Sequence, residues 1–294
     1  METTLGQVGL WTGALDALPL GAALEQVAEL DDQGWGALWF GEAYGREALT
    51  AAALYLGASS RLAVATGIAS IYARDAVATS AGARTLAARH PGRFLLGLGV
   101  SHAPLVERMR GHSYGKPLAA MREYLDAMDA APYAVAGAEP AAPRVLAALG
   151  PRMLELARDR AQGAHPYLVT PDHTAQAREL LGPGSLLAVE QAVVLDADED
   201  AWRARAHWHL EIYTGLPNYR ESWRRLGFGE SDWVRGGSDR LKDAMVPRGG
   251  AAVQRRVQEH LAAGADHVCV QVLGETAVDV PVTDWRQLSE LLLS

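Results

Sequence analysis

Short, nearly continuous apolar runs alternate along the chain with longer segments in which apolar residues recur every three or four positions. Runs of the first kind predict strands buried on both faces, and the second kind predicts helices with one buried stripe. Strands are expected at Gln7–Trp11, Ala37–Phe40, Leu62–Ile68, Phe94–Leu98, Val145–Ala148, Ala164–Val169, Leu186–Leu195 and His267–Val272. Helices are expected at Leu20–Asp31, Ala48–Leu56, Ala76–Arg89, from Pro117 onward, from Gly150-Pro151 through Arg158, and from Pro171 to Gly182. Further helices are expected at Glu199–Tyr213, Tyr219–Leu226, Ala251–Ala263 and Trp285–Leu293. Gly34 stands where a helix C-cap belongs and Asp75 where an N-cap belongs. Ala130–Pro143 and Ser231–Gly250 hold no clear period and are expected as a surface connection and an irregular segment.

Alternating strands and helices over a chain of this length predict an α/β fold, a (β/α)8 barrel forming one domain over residues 1–294. The helical segment between the seventh and eighth strands would be an insertion. An open doubly wound sheet is the alternative, but no Gly-x-Gly-x-x-Gly follows the first strand. Composition narrows the class. Hydrophobic residues make up 49% and charged residues 21%, as in an ordinary soluble protein. A net charge of −8 argues against a nucleic-acid surface. Cys269 is the only cysteine, so no internal disulfide forms, and its apolar neighbours make it a core residue. No apolar run is long enough to span a membrane, and Met1-Glu2-Thr3-Thr4 does not open a signal peptide, so a cytoplasmic protein is expected.

In such a barrel the chemistry comes from residues just after each strand. Trp11 and Thr12, Glu42, Gly67, Ser70, Tyr72, Ser101 and His102, and Leu149-Gly150 lie at those places, with His165-Pro166-Tyr167 in the sixth strand. The stretch Phe94–His102 stands out: an apolar strand with Gly97 and Gly99, which permit close approach, releases Ser101-His102 at its end. It reads either as the floor of a binding site or as a strand followed by a surface histidine. No metal-ligand spacing accompanies Glu42, His102 and His165, so no metal is expected, and no Gly-x-Ser-x-Gly elbow is present. Aromatics, bare backbone and isolated polar groups suit a planar cofactor that carries the difficult chemistry. Leu149-Gly150 opens a helix whose free N–H groups attract an anion; because Pro151 has none, Gly150, Arg152 and Met153 would supply them. Arg74 and Lys116 fall in mouth loops, as solvated charges or as partners of an anionic tail.

These segments together resemble a known family. Gly9-Leu10-Trp11-Thr12-Gly13, Leu38-Trp39-Phe40-Gly41-Glu42, Ala65-Thr66-Gly67-Ile68, His90-Pro91-Gly92-Arg93-Phe94 and Gly97-Leu98-Gly99-Val100-Ser101-His102 carry the resemblance. So do Ala147-Ala148-Leu149-Gly150-Pro151, Gly163-Ala164-His165-Pro166-Tyr167 and Gly264-Ala265-Asp266-His267-Val268. In this order the chain resembles the luciferase-like monooxygenase family, in the branch of oxidoreductases that use the deazaflavin F420. The resemblance implies a TIM-like barrel of the bacterial luciferase-like type, usually dimeric, with F420 or FMN at the C-terminal mouth. It implies a non-prolyl cis peptide at Gly67-Ile68 behind the ring. The cofactor-binding residues it implies are Trp11, Glu42, Thr66, Gly67, Ile68, Ser70, Gly99, Ser101, His102, Ala148, Leu149, Gly150 and His165. His102 and Glu42 would be the catalytic pair. The family's sugar dehydrogenases carry histidine where Ala43 stands and glutamate where His102 stands, so their acid/base pair is not preserved and a sugar phosphate is not the expected substrate. The function expected is hydride transfer between deazaflavin C5 and a small organic substrate, with His102 handling the proton. The alternatives are an FMN-dependent monooxygenase supplied by a separate reductase, and a non-catalytic cofactor-binding protein.

Overall fold

The computed structural model describes residues 4–136, 141–196, 198–276 and 278–293. Met1–Thr3, at the chain start, and 137–140, in the middle of the Ala130–Pro143 connection, lie outside the described residues. Strand β1 (Val8–Trp11) leads to helix α1 (Leu20–Asp32), β2 (Ala37–Phe40), α2 (Ala48–Ala58), β3 (Ala63–Thr66) and β4 (Ala69–Ser70). Then come α3 (Ala76–Arg89), β5 (Phe94–Gly99), α4 (Pro117–Asp129), β6 (Arg144–Leu146), α5 (Pro151–Arg160), β7 (Gly163–Ala164) and α6 (Pro171–Leu181). The chain continues through β8 (Leu186–Val193), α7 (Glu199–Tyr213), α8 (Pro217–Arg225), α9 (Asp239–Met245), α10 (Gly250–Ala262), β9 (His267–Val272) and α11 (Val282–Leu292). All strand pairs are parallel, and pairing of β3 with β5 closes the sheet. The result is a TIM-type barrel of eight strands in which the third is split into β3 and β4.

The split has a local cause. The Gly67–Ile68 peptide is cis and lies between the two halves. The Thr66 hydroxyl donates to the Gly97 carbonyl at 2.8 Å and accepts from the Gly97 N–H at 2.8 Å, substituting for ladder bonds. A Cβ on Gly97 would fall 1.9 Å from the Thr66 carbonyl oxygen, and one on Gly99 2.5 Å from the Ile68 side chain. The two glycines expected to allow close approach therefore do so, and what approaches is the displaced third strand.

Helices cover the outside of the barrel, and their apolar stripes meet the outward strand residues in the main core. Inside, small residues at Ala37, Ala63, Ala65 and Ala188 leave room for Trp39, which is wholly buried. Trp39 stacks on His165 with centroids 4.3 Å apart and donates Nε1–H to His267 Nε2 at 3.0 Å. Cys269 is buried there as expected. Asp75 caps α3 by accepting from Ala78 N, and Gly34 follows α1 with φ +87°.

Two expectations need correction. The sixth strand was expected to run from Ala164 to Val169, but β7 stops at Ala164. Pro166 has no N–H for the ladder, and Leu168 takes the left-handed φ of 57°. Ser231–Gly250 was expected to be irregular, yet it contains α9, capped by Ser238 accepting from Leu241 N. Seven residues are too short a run for the helical period to show. With α7 and α8, this helix forms the insertion after β8, which has its own core of Trp202, Leu210, Trp223, Leu241 and Met245. Among the described residues no helix is long and apolar enough to cross a membrane.

Candidate active site

The C-terminal strand ends and the insertion enclose a cavity of about 420 Å³. Its floor is backbone. Gly67 and Ile68 bulge into it from the split strand, beside Gly99 and Val100 of the fourth barrel strand. Trp11 lies against this floor and donates its indole N–H to the Gly67 carbonyl at 3.1 Å. His165 completes it from below: Nδ1 bonds the Ala188 carbonyl at 2.9 Å, so that nitrogen carries the proton. Its Nε2 is then a bare acceptor, buried and without a partner among the described residues. Burial lowers the His165 pKa to about 4, so the ring is neutral.

One end of the cavity presents unpaired backbone N–H groups. Leu149 and Gly150 reach it from the end of β6, at the N-terminus of α5. The Leu149 carbonyl accepts from His173 Nε2 at 2.9 Å and from Arg225 Nη2 at 3.0 Å. Met153 N–H is spent on the Gly150 carbonyl at 3.1 Å, which corrects its place among the expected donors. Gly150 and Arg152 keep N–H groups without partners among the described residues, and the Arg225 guanidinium stands 3.8 Å from where a Gly150 Cβ would be.

His102 and Ser101 line the opposite wall. Ser101 has a positive φ of 54°, and the His102 carbonyl accepts from Leu105 and Val106, starting the short π-helical turn Leu105–Met109. The His102 ring sits 6.0 Å from that of Tyr219. Burial lowers its pKa, so at neutral pH the ring is uncharged and its bare nitrogen accepts protons.

Glu42 also faces the cavity, but its carboxylate is occupied. Oε1 accepts from Ala48 N at 3.3 Å and pairs with Arg74, and Oε2 accepts from Ser70 N at 2.9 Å. Arg74 is thus neither a solvated charge nor free for a cofactor tail; it is buried against Glu42 and Glu47. Of the expected site residues, Trp11, Glu42, Gly67, Ile68, Gly99, Ser101, His102, Ala148, Leu149, Gly150 and His165 line the cavity. Thr66 and Ser70 do not: both are buried behind the floor, Thr66 on Gly97 and Ser70 on Glu42 and Tyr72.

The remaining wall comes largely from the segments Ser101–Gly115 and Tyr213–Gly250, which the sequence marks as pocket-shaping loops without singling out their individual residues. Tyr213, Asn218, Tyr219, Glu221 and Arg225 come from α7 and α8, Tyr114 from the loop before α4, and Tyr167 from the turn after β7. Tyr213 and Tyr219 meet edge to face with centroids 4.7 Å apart, and Tyr167 meets Trp11 at 5.3 Å. Among the described residues no cluster of His, Cys, Asp or Glu could hold a metal ion.

Known proteins share this architecture. A Mycobacterium tuberculosis protein, provisionally named a coenzyme F420-dependent oxidoreductase, is 36% identical over 120 residues, or 41% of this chain and 35% of that protein. The chain thus matches about a third of that relative's length. An F420-dependent secondary alcohol dehydrogenase, solved with an F420-acetone adduct, superposes with a TM-score of 0.75 at 14% identity, over 100% of this chain and 99% of that one. The oxygenating constituent of the Pseudomonas putida 3,6-diketocamphane monooxygenase, solved with FMN, superposes with a TM-score of 0.69 at 14% identity, over 97% of this chain and 96% of that one. At such identities the two structures speak for the fold. The family model for luciferase-like monooxygenases matches residues 3–282, and the chain belongs to that family of oxidoreductases.

Proposed function

We propose that this protein is an F420-dependent oxidoreductase acting on a small organic substrate. The carrying observation is the pairing, in one cavity, of a flat backbone floor with an anion-attracting end. The floor is close-packed and admits no side chain at its glycines: a Cβ on Gly67 would lie 2.6 Å from Trp11 Nε1 and 2.9 Å from His165 Nε2, and one on Gly99 2.5 Å from the Ile68 side chain. That fits a planar ring lying on Gly67–Ile68. The free N–H groups of Gly150 and Arg152, with Arg225 beside them, fit the phosphate of its tail. The bound deazaflavin would supply a hydride acceptor or donor. The protein's own residues orient and handle the proton. Trp11 fixes the Gly67 carbonyl, Glu42 with Arg74 braces the strand ends behind the floor, and neutral His102 takes up a proton at the cavity wall. The name of the M. tuberculosis relative supports F420.

The second reading, an FMN-dependent monooxygenase, is supported by likeness to the FMN-bound oxygenase and by an anion site that serves either phosphate. Titrating the pure protein with F420 and with FMN, followed by fluorescence, separates the two. The expected result is a dissociation constant for F420 well below that for FMN; tighter FMN binding would overturn the proposal.

A further inference from the structure

The wall supplied by the insertion contains a directed chain of hydroxyls. Tyr213 Oη donates to Tyr167 Oη at 3.2 Å, and Tyr167 Oη donates to Gln271 Oε1 at 2.7 Å. A tyrosine hydroxyl has one proton to give. Both are used, so Tyr213 presents lone pairs to the cavity that it lines. We infer that the Tyr213–Tyr167 pair binds the hydroxyl of an uncharged, largely apolar substrate and so selects what this cavity accepts. The inference rests on the oxidoreductase reading and names the substrate class for the same cavity.

The surroundings fit that class. Trp11 and Tyr219 flank the pair, at 5.3 Å from Tyr167 and 4.7 Å from Tyr213 between ring centroids, and make its surroundings aromatic. The groups that could answer a charged ligand are neutral or engaged. Burial raises Glu190, beneath the Tyr167 turn, to about 8 and lowers His209 to about 4. It raises Tyr213 to about 12 and pushes Tyr167 and Tyr219 up as well. Arg225 is held by the Leu149 carbonyl and by Glu221 at 3.3 Å. The anion-attracting groups, Gly150, Arg152 and Arg225, belong to the end proposed for the cofactor phosphate; beside Tyr213 and Tyr167 an ionic group would lose its hydration without gaining a counter-charge. A carbonyl can also be received. The Tyr213–Tyr167 bond is long for a hydroxyl pair, so Tyr213 can turn its proton to an acceptor in place of that weak link.

Glu190 keeps the pair in place. Its Oε2 accepts from Leu168 N at 2.8 Å, and its own N–H donates to the Pro166 carbonyl at 3.0 Å. Both bonds hold the turn that carries Tyr167.

The test uses benzyl alcohol, ethylbenzene and benzoate as probes of the full-length protein, with affinities from ligand-observed NMR titration. Tyr213→Phe should weaken benzyl alcohol about fivefold, the effect of one hydrogen bond, and leave ethylbenzene within about twofold. Benzoate can take the anion end instead, so its affinity should stay within about twofold in Tyr213→Phe. An equal loss for both neutral probes, an unchanged benzyl alcohol affinity, a benzoate loss equal to that of benzyl alcohol, or no benzyl alcohol binding would each overturn the inference. F420 affinity is measured in parallel. If the unmodified protein fails to bind F420 while benzyl alcohol still depends on Tyr213, the cofactor reading has failed and the hydroxyl site stands.

Discussion

The cavity has two kinds of wall. The floor and the anion end are made of backbone: the Gly67–Ile68 bulge, Gly99, and the start of α5 at Gly150. The insertion wall is made of side chains, Tyr213 and Tyr219, with Tyr167 from the turn after β7, while Arg225 of the same insertion reaches the Leu149–Gly150 end. Backbone surfaces present the same groups whatever the substrate, so they suit the part of the ligand that stays constant. A side-chain wall changes with each substitution and suits the part that varies. Under the proposed function the cofactor would take the first wall and the substrate the second.

The largest effect should come from disturbing the strand packing behind the floor. Gly97→Ala drives a methyl to 1.9 Å from the Thr66 carbonyl, which is backbone and cannot swing away. A cost of about 3 kcal/mol or more is expected, and calorimetry should show a melting temperature about 10 °C lower. A stable Gly97→Ala protein with an intact cavity would mean that the floor is far more yielding than the wall. Next comes Gly150→Asp, which sets a carboxylate beside the free N–H groups and Arg225. F420 affinity should fall on the order of 10²-fold by fluorescence titration, with the melting temperature little changed. Parental affinity in that variant would remove the anion end from the cofactor's wall.

The third test sits where the walls meet. His102→Gln should lower kcat about 10²-fold once a substrate is known, with F420 affinity within twofold. Loss of affinity with unchanged kcat would place His102 with the cofactor instead. Burial depresses the His102 pKa, so the proton-accepting form persists below the usual histidine range. Substrate oxidation should therefore hold its rate as pH falls through 6.5 and decline only at lower pH, and a rate already halved at 6.5 would show that the ring titrates as if exposed.

The same contrast explains what could be read in the sequence. The floor was legible because backbone geometry restricts residue choice locally. Gly97 and Gly99 in an apolar strand and Gly150-Pro151 at a helix start each signal their task within a few residues. Tyr213, Tyr219 and Arg225 carry no such signal. Their helical spacing is that of any amphipathic helix, and only tertiary packing distinguishes a tyrosine facing the insertion core from one facing the cavity. Tyr167 was named with His165-Pro166 but set inside a strand, because its apolar run reads as one until Pro166 is weighed against it. Glu190 did leave a signal, a lone acid in the otherwise apolar Leu186–Leu195, and the period of that run gave no reason to read it.

The ladder around the barrel is uneven. β8 and β9 are joined through six register pairs, from Ala188↔His267 to Val193↔Val272, whereas β7 meets each neighbour through only two. Local opening costs least where the fewest cooperative bonds must break. In amide hydrogen exchange, β7 and its following turn are the seam that should exchange early, while β8 and β9 stay protected until the whole barrel unfolds. His165 and Tyr167 hang from that seam. Part of the side-chain wall is thus attached to a barrel strand with few ladder pairs on either side.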